Sequence, residues 1–226
     1  MSTVTAMIIF LAFVGYVGVQ AVKNFQLRNL NMSLRKNDGE TVERLTNMAT
    51  SRRILGEYTC DLYQLRARYM GEDAAAFEEK LKQMIATTYK NPADKKSFLE
   101  QYYHTFLIRG KGTYAAWLLE GIRAVQDAAY VKFSEQAYAV MIDHRTDLID
   151  EMIDEINGKH YYGFALGVIL FMVAKQYEAL GDGEHALIYY QNAKVCFHPQ
   201  AVYVPLLEKQ MKQLEERTQT GKTVLS

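Results

Sequence analysis

Residues Val4 to Val22 form an unbroken run with no charged side chain, and the first charges after it are all positive: Lys23, Arg28, Arg35 and Lys36 precede any carboxylate. In a helix rising about 1.5 Å per residue the run is about 28 Å long, close to the hydrocarbon thickness of a bilayer. Thr5 and Gln20, its clearly polar members, stand near the ends, and Gly15 and Gly18 suit a span because glycine is common in membrane helices. A basic cluster on the C-terminal side alone predicts, by the positive-inside rule, that residue 23 onward faces the cytoplasm. The expected organisation is a single-pass membrane protein with an N-terminal transmembrane anchor over residues 1-24 and a cytoplasmic soluble domain. Two other readings stand beside it. A cleaved signal peptide would use Val19-Gln20-Ala21 as its cleavage site, although the charged start of such a peptide is missing; the third reading is a buried core helix.

Lys plus Arg and Asp plus Glu both number 26, so no global field favours nucleic acid or acidic substrates. The local imbalance at Lys23, Arg28, Arg35 and Lys36 makes a membrane-surface cluster that attracts anionic lipid. Prolines occur only at positions 92, 199 and 205, which predicts an all-α chain. Cys60 and Cys196, far apart, form neither a disulfide framework nor a metal motif and suit a reducing compartment. A second apolar run, Tyr161 to Ala174, is closed by His160 and Lys175. It is too short for a crossing and reads as a buried core helix.

After the anchor, apolar residues recur at helical spacing, interrupted by short polar links at Asn37-Asp38-Gly39, Gly71-Glu72-Asp73, Gly110-Lys111-Gly112, Asp143-His144-Arg145 and Gly181-Asp182-Gly183. The links are about 32 to 39 residues apart, and a fixed period in that range is the mark of stacked helical hairpins, an α-solenoid. The last hairpin places Leu170, Val173, Ala174 and Tyr177 on one helix, a turn at Gly181-Asp182, and Ala186, Tyr190 and Ala193 on the next. This pattern resembles the tetratricopeptide repeat (TPR) family, in which a small residue on each helix lets two backbones approach while aromatic rings fill the neighbouring grooves. Pro199 falls one residue late for that pattern.

The earlier hairpins are more degenerate. Leu99, Tyr102, Tyr103 and Phe106 pair with Ala115, Leu119 and Ile122 across Gly110, with Tyr103 where a small residue is expected, which predicts splayed helices. Phe133, Ala137 and Val140 pair with Ile149, Ile153 and Ile156, while a Tyr63-bearing helix pairs with Phe77, Leu81 and Met84. Leu207, Met211 and Leu214 make an apolar stripe on a C-terminal helix over Val204 to Arg217 that would cap the array. The expected domain therefore runs from 25 to 217, a TPR-like helical-repeat domain, followed by a disordered polar tail over 218-226.

The residues offer little for catalysis. Gly110-Lys111-Gly112 lacks the spacing of a phosphate loop, the five histidines are scattered, and no nucleophile pairs with a base. Asp143 beside His144 sits at a turn. Neither an enzyme activity nor a cofactor is expected. Asp147, Asp150, Glu151, Asp154 and Glu155 read as the solvated face of an amphipathic helix, with a dock for a basic partner as the other reading.

Resemblance to the family implies that first helices line a groove for a peptide or partner helix. The groove residues so implied are Leu65 and Arg68 (beside Asp61), His104 and Leu107 (beside Glu100), Tyr138 and Met141 (beside Ser134), and Phe171, Lys175 and Glu178. Their mixed and increasingly apolar character favours a hydrophobic or helical ligand over a charged peptide terminus. The expected function is a membrane-tethered adaptor or scaffold that binds a membrane-associated protein partner. The alternative is a structural accessory subunit of a stable membrane complex.

Overall fold

The computed structural model describes the backbone of residues 3–223 and the side chains of 4, 5 and 7–217. Among the described residues there are twelve α-helices and no strand. The region expected as one domain falls into two compact units, residues 1–95 and 96–226. The first holds α1 (Thr3–Arg35), α2 (Gly39–Asn47), α3 (Ala49–Leu55), α4 (Glu57–Met70) and α5 (Ala74–Ala86). The division falls inside α6 (Pro92–Ile108). The second unit continues through α7 (Gly112–Arg123), α8 (Ala128–Met141), α9 (Ile149–Asn157), α10 (Gly163–Ala179), α11 (Gly183–Cys196) and α12 (Val204–Thr223). Of the polar tail expected over 218–226, residues 218–223 are described as backbone only, continuing α12, and the remainder lies outside the described residues.

α1 is one helix in two environments. Its apolar half is bare on all sides, with Phe10 64% and Phe13 63% exposed, and it is the one described helix long and apolar enough to cross a membrane. Its last turns behave as an ordinary core helix. Leu30 is 1% exposed, and it packs with Val42, Leu55, Cys60, Tyr63 and Ala67, with Leu27 and Leu34 half-buried against them. The Tyr63 hydroxyl donates to Asn31 Oδ1 at 2.8 Å and ties α4 to α1. Below it, Gln64 Nε2 donates to Thr46 Oγ1 at 2.9 Å, joining α4 to α2.

All five predicted links separate helices, and they share one local chemistry. Each contains a residue with positive φ: Asn37, Glu72, Gly110, His144 or Gly181. Backbone bonds then close the preceding helix: the Asp38 N–H donates to the Ser33 carbonyl, Lys111 to Phe106 and Asp182 to Tyr177, each at 2.9 Å. At three of the five an aspartate directly after the left-handed residue caps the next helix. Asp38 accepts from the Thr41 N–H at 3.0 Å, Asp73 from Ala76 at 3.0 Å and Asp182 from His185 at 3.1 Å. The same device appears at Gln126-Asp127, between α7 and α8, a link that glycine spacing alone does not reveal.

In the second unit the most extensive helix packing is between α10 and α11. Ala174, Ala186 and Ala193 are wholly buried there, which lets the backbones approach as the small-residue pattern predicts. A Cβ on Gly167 would fall 2.7 Å from the Phe197 ring, so that crossing requires glycine. α6 and α7 do not approach as closely, because rings stand between them: Phe106 meets Tyr114 edge-on at 5.2 Å. Tyr103 points instead to α8, where its hydroxyl donates to the Ser134 carbonyl at 2.6 Å. The part of the second apolar run from Gly167 to Ala174 is the buried spine of α10, packed by α8, α9 and α11. α12 lays Leu207 and Leu214 on α11 and keeps Glu208, Lys209, Lys212 and Glu215 outward.

Two outcomes follow from these contacts. A chain starting at Lys23 stays folded and loses its affinity for detergent. One starting at Lys36 uncovers the Val42–Leu55–Tyr63 core and loses about 4 kcal/mol of first-unit stability, measured by urea unfolding. The backbone N–H groups held by Asp38, Asp127 and Asp182 keep those carboxyls below their ordinary 3.8. Lowered folded values mean that their contribution is complete above 3.8 and is lost as pH falls through the folded values. An acid titration followed by circular dichroism therefore shows helix loss below that pH, and the triple aspartate-to-asparagine variant, which caps without titrating, removes that component of the loss.

Candidate functional site

The residues implied as a groove divide by burial. Leu65 and Phe171 are 0% exposed, and His104 and Leu107 are 1% exposed, so these four belong to the cores of their units and present no surface to a partner. The helical spacing that marks a residue as one step past the packing positions assumes one buried stripe. α4, α6 and α10 are instead packed on more than one side. Tyr138, Met141, Lys175, Glu178 and Arg68 are half-buried and remain reachable. Tyr138 and Met141 sit one turn apart on α8, with the Tyr138 hydroxyl near Gly112 at the start of α7. Lys175 and Glu178 pair at 3.0 Å on α10, and the Tyr190 hydroxyl donates to Glu178 at 2.7 Å, so this charge also ties α11 to α10. In the first unit Arg68 bonds Glu43 at 2.8 Å and the Ala76 carbonyl at 3.1 Å, which spends its guanidinium on packing α2, α4 and α5 together.

The basic cluster has a clear geometry. Arg28 and Arg35 are exposed and line one face of α1 with Asn24, Leu27, Asn31 and Met32, around a shallow cavity of about 540 Å³. Lys36 is exposed just past the helix end, and Lys23 is half-exposed where the bare half begins. Such a face sits where headgroup phosphates would be if the bare half lies in a bilayer.

The first unit also holds a buried ionic cluster that sequence reasoning missed. Asp61 is 5% exposed; its Oδ1 accepts from Lys80 Nζ at 2.8 Å and from Arg52 at 3.3 Å, and its Oδ2 accepts from the Tyr89 hydroxyl at 3.1 Å. Burial, followed by the neighbouring Asp61 charge, pushes the Tyr89 phenol far above its ordinary range, so it stays a donor. Lys95 closes the nearby end of α5, donating to the carbonyls of Met84, Ile85 and Thr87. Both are structural devices: every partner is satisfied from within.

The acidic helix α9 is less solvated than its composition suggests. Asp150, Glu151 and Asp154 are exposed, but Glu155 is buried and accepts from Lys132, Gln136 and the Tyr161 hydroxyl. The reading of all five acids as a solvated face is corrected at that position, because Glu155 knots α9 to α8. Asp143 and His144 are exposed in a turn and make no bond to each other. Cys60 and Cys196 are both free thiols, and burial raises both above the ordinary thiol range, so neither is an activated nucleophile. Among the described residues no group of three or more His, Cys, Asp or Glu side chains could hold a metal ion.

One side chain in the second unit stands apart. His104 Nδ1 lies 2.8 Å from the Tyr203 hydroxyl, while its Nε2 is buried with no partner. Around it stand Phe164, Phe133 and Tyr203, and burial pushes the imidazole down to about 3, so it is neutral near pH 7. His104 lines a shallow cavity of about 440 Å³ together with Ser97, Glu100, Gln101, Phe164, His198 and residues 200–202. The helical spacing did single out His104, but as a groove residue rather than as a buried, half-satisfied imidazole.

The ionic cluster supplies a stability test. Asp61→Asn leaves Lys80 buried without its counter-charge and costs about 3 kcal/mol in chemical unfolding. Replacing the buried groups together, as Asp61→Leu, Lys80→Met and Tyr89→Phe, recovers most of that loss, because no buried charge or hydroxyl is left without its partner. Compared with family models, with curated proteins and with solved structures, the chain finds no match.

Proposed function

We propose that this chain is a membrane-tethered adaptor or scaffold, held by α1 in the bilayer with its two helical units in the cytoplasm, where they bind a membrane-associated protein. The observation that carries the reading is the change of environment along α1. Its first half offers apolar side chains in every direction, as a helix in lipid does, and its last turns are core of the first unit. Confinement to the membrane raises the local concentration of membrane partners, so even a weak docking surface becomes effective. The hairpins, with small residues at the α10–α11 crossing, support a place among TPR-like solenoid repeats. In the second unit the reachable part of the implied groove is Tyr138 and Met141 on α8, with Lys175 and Glu178 on α10.

A specific observation favours the second reading, a subunit of a stable membrane complex. Ile188 and Val195, two turns apart on the outward face of α11, are exposed, Val195 by 87%. A permanent neighbour over that face would account for them.

Full-length chain in native membranes tests both readings. The proposal expects resistance to alkaline extraction, an intact mass retaining residues 1–22, and digestion of the helical units only by protease added to the cytoplasmic side. A mass lacking those residues identifies a cleaved signal and overturns the anchor. Crosslinking then locates the partner. Tyr138→Ala with Met141→Ala lowers its recovery at least tenfold if the α8 surface docks it. Ile188→Asp with Val195→Asp does so if α11 faces a permanent neighbour. Phe171 is unsuitable for such a test, because a charge there would be buried.

A further inference from the structure

The unpartnered nitrogen of His104 points to a ligand. In a neutral imidazole one ring nitrogen carries a hydrogen and the other does not. If Nδ1 donated to the Tyr203 hydroxyl, both the Nε2 lone pair and the hydroxyl proton would be left buried without a partner. If the hydroxyl donates to Nδ1, a single group is unmet: the Nε2–H. The second arrangement leaves fewer buried polar groups unsatisfied and is the favoured tautomer. The His104 edge therefore offers one donor and asks for one acceptor.

The surroundings narrow what that acceptor belongs to. Glu100 lies one turn before His104 on α6 and is the one carboxylate in the cavity lining, which contains no Lys or Arg. An anion would meet Glu100 with no fixed cation to offset it, and a simple cation would leave the Nε2–H unmet. A neutral amide meets both groups, with its oxygen for the Nε2–H and its N–H for the Glu100 carboxylate. Phe164, Ala201 and Val202 add apolar surface to this depression of about 440 Å³, which is shallow and open to solvent on its outer side. Gln101, His198 and Gln200 in its lining are exposed, and a ligand that reaches the buried nitrogen has to displace the side chains that cover it.

We propose that the cavity beside His104 binds a small uncharged amide, with the Nε2–H of His104 donating to the carbonyl oxygen and Glu100 accepting from the amide nitrogen. This site goes beyond the adaptor reading and does not depend on it. It uses residues distinct from the Tyr138–Met141 surface.

The test uses the full chain in detergent micelles, labelled with ¹⁵N-histidine, and benzamide as the probe, with benzoate and benzylamine as controls. Before addition, nitrogen shifts are expected to show His104 protonated on Nε2. Benzamide should move that signal saturably, while the two controls at equal concentration should not. Glu100→Ala should weaken benzamide at least tenfold, and Val202→Trp, which fills the cavity from an exposed wall position, should abolish the response with the His104 tautomer retained. Because His104→Phe also breaks the Tyr203 bond and can disturb folding, these wall variants carry the test. Protonation on Nδ1 overturns the proposal, as does a benzamide titration without saturation, which leaves bound water as the sole occupant. An equal response to the controls, or a response surviving Val202→Trp, also overturns it.

Discussion

The burial of Leu30 against Val42, Leu55 and Tyr63 is the contact on which the rest of the first unit depends. It makes the last turns of α1 a wall of the core while the same helix, without a break, presents Phe10 and Phe13 to whatever surrounds its first half. A flexible linker between anchor and domain would let the domain tumble. A continuous helix transmits orientation, so a bilayer around the bare half would set the first unit at a defined angle and place Arg28 and Arg35 at headgroup level. Removing the packed turns would therefore cost both the stiff joint to the bare half of α1 and the fold of the first unit.

Much of this organisation was legible in the sequence. The uncharged run before Lys23 marks the bare half of α1, and the five polar links mark true helix boundaries because each combines a left-handed residue with backbone closure of the helix before it. Small residues at Ala174, Ala186 and Ala193 foretold the tight α10–α11 crossing, while Tyr103, expected to splay α6 from α7, turns to α8 and leaves Phe106 and Tyr114 between that pair. The link at Gln126-Asp127 was hidden because its left-handed residue is not glycine, although Asp127 is the cap signal that could have revealed it. The short α3, bounded by Met48 and Gly56, is too brief to show a helical period.

The candidate site was less legible, for a physical reason. Residues implied as groove lining were placed by spacing along single helices, but exposure depends on how many neighbours a helix has. Leu65, Leu107 and Phe171 vanish into cores because their helices are packed on more than one side. Buried polar groups show the same limit. Asp61, Lys80 and Tyr89 are ordinary residues in the sequence and become one ionic knot only when α4, α5 and the segment after α5 converge. The lone nitrogen of His104 has no sequence signature, since what defines it is the absence of a neighbour in three dimensions.

The most direct test of the central claim is hydrogen exchange along α1 in the full-length chain, reconstituted in lipid nanodiscs. Unbroken helix from lipid into core predicts slow exchange from the apolar half through Lys23 and on to Leu34, with the last turns opening together with α2 and α4. A fast-exchanging joint between Val22 and Leu27 would contradict it, separating the anchor from the fold and leaving the first unit free to reorient.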